Sequence, residues 1–401
     1  MFHPYSWLNR LGSLSTPKLV ALISFFGQLY FFVPVMTPYL QGKGLSLAQI
    51  AGMQTALMIS MMVMEIPTGV LADRVGHRRS YQISLAMALL GEVVTLLAGS
   101  YSEFLLGQFV AGTGFAFASG SVDALVYESL PEQDRTRGMH RAKGMIGAAL
   151  QAASLVAYSI GGWLTRDLTM ANMRFTLKLD VVSMTCAALL VLALREPVRE
   201  IVAERMRSLN LLKSGWSNLR SSPALIRLVL ITIVTNAFVA HLLIFYQDYF
   251  LRTGVAAVWL GMGLALGSGV AFFTQLHAWR LPVWLGDRRA LLIATGVPGL
   301  LYLLMAMVHN PVWAVVLFVL QWGAVQMAQP LFSGFYNHHI EEGARATGLS
   351  LISLMVTLYV SIGGVILGWL AGINLSMMFA ILGAIIIAGS VLVRPLPEPA
   401  Q

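Results

Sequence analysis

Charge is scarce in this chain: 11% of its 401 residues are Asp, Glu, Lys or Arg, while 57% are hydrophobic and the mean hydropathy is +0.74. So much apolar surface cannot be hidden inside one water-soluble domain, which excludes a soluble globular protein. Cysteine is nearly absent, and the lone Cys186 falls inside an apolar run, so an intrachain disulfide framework and a cysteine-based metal site are both excluded. A Gly-x4-Gly-Lys-[Ser/Thr] loop is missing, as is any soluble domain, so direct coupling to ATP would need a separate subunit. Converging enzyme groups are missing too. The one local cluster, His338-His339 beside Glu341 and Glu342, reads as the end of a loop. Neither a cofactor nor a metal is expected.

What the chain has is long apolar runs. A membrane-crossing helix needs about 20 apolar residues, so about twelve of them use roughly 240 residues and leave short loops. The runs predict spans over 18–41, 47–71, 80–99, 103–127, 142–165, 174–194, 224–250, 255–279, 289–308, 311–337, 346–371 and 374–393. The first lacks a small-residue cleavage site and reads as a retained helix. Lys and Arg in short loops stay on the cytoplasmic side. On this segmentation 21 of the 26 Lys and Arg lie on one side, and Lys43, Arg166, Arg174, Lys178 and Arg252 on the other, which places both termini in the cytoplasm. The net charge of +8 is then a topological signal, not a nucleic-acid-binding one.

The polar break between the second and third spans reads Glu65-Ile-Pro-Thr-Gly69-Val-Leu-Ala-Asp73-Arg74-Val-Gly76-His77-Arg78-Arg79-Ser80. It resembles a gating loop of the major facilitator superfamily, whose pattern is Gly-x-Leu-Ala-Asp-Arg-x-Gly-Arg-Arg. Gly69, Leu71, Asp73, Arg74, Gly76 and Arg78 are in register, and His77 stands where arginine is usual. The glycines let helices approach and let the chain turn. The resemblance implies that Asp73 locks the outward-facing state against a helix N-terminus, an interaction of roughly 0.3 to 1 kcal/mol.

Internal echoes point to two related halves. Tyr158-Ser159-Ile160-Gly161-Gly162 recurs as Val360-Ser361-Ile362-Gly363-Gly364, Arg135-Thr-Arg-Gly138 as Arg345-Ala-Thr-Gly348, and the gating loop in short form as Gly286-Asp287-Arg288-Arg289. The expected fold is all-α: twelve transmembrane helices in two pseudo-symmetric six-helix bundles, residues 1–195 and 223–401, joined by a cytoplasmic linker over 196–222. In that linker Val202, Met206, Leu209, Trp216 and Leu219 recur near helical spacing among Arg199, Arg205, Arg207, Lys213 and Arg220. The pattern fits either a helix lying on anionic lipid or a solvated linker whose charges fix topology.

Carboxylates inside spans are costly, at about 2.5 to 3.5 kcal/mol on the insertion scale, and mark function. Glu65, Asp123 and Glu92 are the candidates for proton coupling or for a latch. The resemblance implies that Asp123, in Ser119-Gly-Ser-Val-Asp123-Ala-Leu-Val-Tyr127-Glu128, pairs with the gating loop, with His77 as one partner. A histidine titrates near neutrality, so such a latch would loosen as the cytoplasm turns alkaline. Glu92 either turns inward or faces lipid. Asp180 and Lys178 sit near the outer end of the sixth span, where they can snorkel to water, and His241 reads as a core residue.

Family members line their cavity with the first, fourth, seventh and tenth spans. That points to Gln28, Gln108, Asn236, Gln247, Trp322, Gln326 and Gln329, with Pro34, Pro38 and Pro330 able to bend their helices. Amides and aromatics suit an amphipathic, neutral or weakly charged compound, and the same amides can instead bond helices to one another. Gln108 replaces the arginine that exporters often carry, and the fifth span lacks their proline. The Glu-x-Pro-Thr-Gly lead-in, Ala-Leu-Val-Tyr-Glu and Glu196-Pro197 are nonetheless similar to small bacterial efflux-type members. The expected function is proton-coupled export of a drug or metabolite by a monomer in the cell inner membrane, in contact with lipid and without nucleic acid. Import by a symporter or uniporter, transport of lipid or lysolipid, and, more remotely, a membrane enzyme or scaffold are the alternatives.

Overall fold

The computed structural model of the protein describes residues 14–196, 226, 230, 232–233, 239–339 and 345–390. Among them every regular element is helical. The first part of the chain forms α1 (Thr16–Gly27), α2 (Met36–Gly42), α3 (Leu47–Val75), α4 (His77–Leu97), α5 (Tyr101–Ala118), α6 (Ser121–Glu128), α7 (Arg135–Leu164) and α8 (Met170–Leu190). The second forms α9 (Val239–Arg252), α10 (Val258–His277), α11 (Arg280–Leu285), α12 (Asp287–Met307), α13 (Pro311–His339), α14 (Arg345–Ile373) and α15 (Leu375–Ser390). Nine helices among the described residues are long and apolar enough to cross a membrane. The fold is the twelve-helix, two-bundle one. The predicted linker lies outside the described residues.

Two predicted spans are interrupted. The first is α1 and α2 joined by Gln28–Phe32 and a single 3-10 turn over Val33–Val35. Pro34 is the cause: it has no N–H to donate, and its ring collides with the carbonyl four residues back, that of Tyr30. The fourth span is α5 and α6, parted at Gly120, whose φ of 73 is costly for other residues.

By internal contact the chain divides into two units, Met1–Leu45 with Ala56–Ile201, and Ser46–Thr55 with Val202–Gln401. Lipid is as apolar as leucine, so helices in a bilayer associate through close packing and hydrogen bonds. The first unit does this with small residues and aliphatics. Gly91 of α4 fits so closely against α5 that a Cβ there would stand 2.9 Å from the Gly107 carbonyl oxygen. Its core gathers Leu19, Ile23, Leu85, Leu125, Met184 and Val191.

The second unit is built on rings. Tyr246 stacks on Phe318 at 4.4 Å, Phe250 meets Phe318 edge-on at 5.2 Å, and Tyr249 meets Phe379 edge-on at 5.4 Å. The Tyr246 hydroxyl donates to the Leu260 carbonyl at 2.9 Å, so the buried ring has its polar end satisfied. Val63, Leu97, Phe273, Met307, Val312 and Trp369 are large apolar side chains left exposed, as a chain in lipid allows.

Candidate functional site

The gating segment is barely a loop. α3 runs on to Val75 and α4 starts at His77, so Asp73 and Arg74 close one helix while His77, Arg78 and Arg79 open the next. The predicted break over 72–79 shrinks to Gly76, with φ 96 and ψ 156. That backbone region is essentially glycine-only, and one such residue reverses the chain while helical bonding continues on both sides. The Gly76 N–H donates to the Ala72 carbonyl at 2.9 Å, and the Ser80 N–H to the Gly76 carbonyl at 3.0 Å.

The first amides of a helix need acceptors from outside it. Glu196 supplies them: the His77 N–H donates to Oε1 at 2.8 Å and the Arg78 N–H to Oε2 at 3.0 Å. A Cβ on residue 76 would stand 2.7 Å from that Oε1, so glycine serves both the turn and the carboxylate. Arg78 also donates through Nη2 to the Leu192 carbonyl at 3.2 Å. At Gly69, by contrast, a Cβ would meet open space, so the close approach expected there is not made.

The acid pairing differs from expectation. Asp123 pairs with Lys143 of α7, Nζ to Oδ2 at 2.6 Å, and the acid beside His77 is Glu128, Nε2 to Oε1 at 3.4 Å. The reason is helical phase. Five residues along a helix turn the side chain by about 140°, so Asp123 and Glu128 leave α6 on different faces. Sequence reading passed over Glu128, Lys143 and the capping role of Glu196, because none of the three lies within the gating pattern. Glu65 is exposed near the end of α3.

A second polar group lies in the same unit. Gln28 donates from Nε2 to the Ser154 hydroxyl at 3.3 Å. Asp180 does not snorkel: its residue is 3% exposed and its carboxylate accepts from the Phe31 N–H at 2.7 Å and the Phe32 N–H at 3.3 Å. The predicted sixth span began at 174, whereas α8 begins at Met170, which sets Asp180 deeper in the helix; Lys178 remains exposed. Glu92 is half-buried and turned inward, within electrostatic reach of Tyr30 and Asp180.

The remaining cavity candidates are mostly engaged in packing. Gln247 is buried and donates to the Leu243 carbonyl one turn back at 2.9 Å. Trp322 is buried against Gly267 of α10, where a Cβ would lie 3.1 Å from its ring. Gln108 and Gln326 are half-buried. Asn236 and the side chain of Gln329 lie outside the described residues.

Long apolar helices in two bundles, with a one-residue hinge and charged contacts at the end of one bundle, define a multi-pass membrane transporter. The profile of the Major Facilitator Superfamily matches residues 19–358, and the chain belongs to that superfamily. The inner membrane transport protein YajR of Escherichia coli strain K12 is 23% identical over 358 residues, 86% of this chain and 74% of that protein.

Similar solved structures include a point variant of the nucleoside transporter NupG, with TM-score 0.79 and 14% identity over 95% of this chain and 99% of that one. Another is a bacterial homologue of the human lysosomal transporter Spinster, inward-facing and unoccupied, with TM-score 0.71 and 16% identity over 98% and 96%. A third is a POT family transporter in complex with 5-aminolevulinic acid, with TM-score 0.74 and 13% identity over 94% and 95%. At such identities the likeness is one of fold. The substrate of this superfamily transporter is a small molecule.

Proposed function

We propose that the protein is a secondary active transporter that works by alternating access and exports an amphipathic organic compound in exchange for protons. In this reading it is a monomer in the cell inner membrane, built as two six-helix halves with both termini cytoplasmic, and it is not an enzyme. The observation that carries the reading is the gate at Gly76. There Glu196, His77 with Glu128, and Asp123 with Lys143 form contacts that can be made and broken at one end of the first bundle. Charged contacts of this kind bias a two-state equilibrium.

Gly69, Asp73, Arg74, Gly76, His77, Arg78 and Arg79 are the gate in this proposal, and Glu65, Asp123 and Glu92 couple the proton or form the latch. Gln28, Gln108, Asn236, Gln247, Trp322, Gln326 and Gln329 contribute to the substrate site. Amide and aromatic groups favour a neutral or weakly charged ligand.

The test is proton flux from purified protein in liposomes under an imposed pH gradient. Amphipathic cations, neutral drugs, siderophore-like metabolites and sugars are screened, with Asp73→Asn and Glu65→Gln as controls. Proton movement opposite to that of the substrate is the expected result. Movement in the same direction would make the protein an importer, and transport without a proton signal would point to uniport, another coupling ion or a lipid substrate.

The gate also has an expected pH response. A protonated imidazole attracts Glu128 and a neutral one does not, so the contact at His77 is stronger when the ring is charged. Transport by His77→Arg should lose that part of the pH profile; an unchanged profile would remove His77 from the gate.

A further inference from the structure

Six of the amide groups between Gln28 and Val35 can be followed to their acceptors. Gln28 donates to the Ser24 carbonyl, Leu29 to Phe26, Tyr30 to Gln28 and Val35 to Phe32, while Pro34 has no N–H. The Phe31 and Phe32 amides both go to the Asp180 carboxylate, at 2.7 and 3.3 Å. In a continuous helix they would go to Gly27 and Gln28. On the opposite side stands Gly161 of α7, where a Cβ would collide with the Phe31 carbonyl oxygen.

These two contacts address a single peptide unit. In a trans peptide the carbonyl of Phe31 and the N–H of Phe32 point in opposite directions, and this chain has no cis peptide bond among its described residues. The plane is therefore flanked on its carbonyl edge by the bare backbone of α7 and on its amide edge by the Asp180 side chain of α8. Backbone groups at membrane depth must be satisfied within the protein, so an irregular segment persists there only where something is built to receive it. Around the break stand Glu92 from α4, Tyr158 and Ser154 from α7, and Tyr30 from the break itself.

We infer that Asp180 and Gly161 form a socket that holds the first span as two half-helices jointed at Gln28–Phe32, with Asp180 as the positioning residue that keeps the joint from rejoining its helix. The joint carries Gln28 and lets α2 tilt against α1 without deforming either. Its use in transport rests on the alternating-access reading above; its existence does not.

Hydrogen–deuterium exchange of the full chain in lipid nanodiscs, without substrate or gradient, tests it. Asp180→Leu should speed exchange in the 28–33 segment at least tenfold, and Asp180→Asn, which keeps one acceptor oxygen, about threefold. Gly161→Ala should act on the same segment, while Gly364→Ala should leave it alone. Exchange in α12 should stay at the wild-type rate in every variant, which shows that the protein is folded. Equal rates in 28–33 for wild type, Asp180→Asn and Asp180→Leu would overturn the socket, as would an effect spread evenly over the chain. Failure of the transport reading would appear separately, as liposomes that show no substrate-driven movement while the exchange pattern stands.

Discussion

The Ser-Ile-Gly-Gly motif occurs once in each unit, and its two copies do different things. In the first, Gly161 of α7 admits a main-chain carbonyl, that of Phe31 in a broken helix. In the second, Gly364 of α14 admits a side chain, the imidazole of His241, which is 1% exposed and stacks on Phe245 at 6.3 Å along a helix that is continuous over Val239–Arg252. The two glycines are also one position apart in the motif. A step of one residue turns a helix by about 100°, so the hole faces a different neighbour in each unit. A short duplicated sequence thus keeps the capacity for close approach and leaves open what fills it.

The sharpest way to break this comparison is Gly161→Ala. The obstacle to the added methyl is backbone, gripped on its far edge by Asp180, so the cost is expected near 3 kcal/mol, the upper end for overpacking, and no side-chain truncation should relieve it. Thermal unfolding in detergent measures this, and a loss below a few tenths would refute the socket geometry.

The two one-residue turns come next. Gly76 (φ 96, ψ 156) and Gly286 (φ 77, ψ 158) open α4 and α12 with nearly the same backbone. Alanine at either costs about 1–3 kcal/mol for that conformation. Gly76→Ala should be the worse, because it also meets Glu196 while residue 286 has open space beside it. Equal losses of melting temperature would show that the carboxylate contact is immaterial.

A smaller loss, about 1 kcal/mol, is expected for Gly364→Ala, since an imidazole can turn away where a backbone cannot. A double-mutant cycle with His241→Ala should recover most of it. No coupling would mean that His241 does not fill the hole. The least effect falls on Lys143→Met. Its pair with Asp123 leaves the two side chains 53% and 55% exposed, and such pairs contribute about 0.2–1 kcal/mol. A larger change in stability would assign that pair a structural role beyond the gate.

How much of this was legible in the sequence follows from range. Span positions depend on runs of apolar residues, and the turn at Gly76 on a pattern within one segment, so both are legible, as is the proline before which the first span breaks. The setting of Asp180 is not legible there, because it is made by two amides far away in sequence, released by that break, which no local pattern reveals. The partners of His77 and Asp123 were exchanged for a related reason. The residue types were evident, but the interruption at Gly120 and the rotation of α6 decide which acid faces which base. The halves also differ where composition gives no hint: linked rings gather in the second core, while glycines bring helices together in both, and only tertiary packing sorts them.

The junction at Gly76 has the geometry of a fulcrum. It parts α3 from α4 by a single residue, and α4 has 21 residues, a rigid arm of about 31 Å at about 1.5 Å per residue. A rotation of about 10° at that one glycine therefore sweeps the far end of the arm through about 5 Å. If the proposed gate turns there, with α5 carried along by its close packing on α4, Glu196 holds the short end beside the pivot, and a small slip of its carboxylate would be geared up at the far end of the arm.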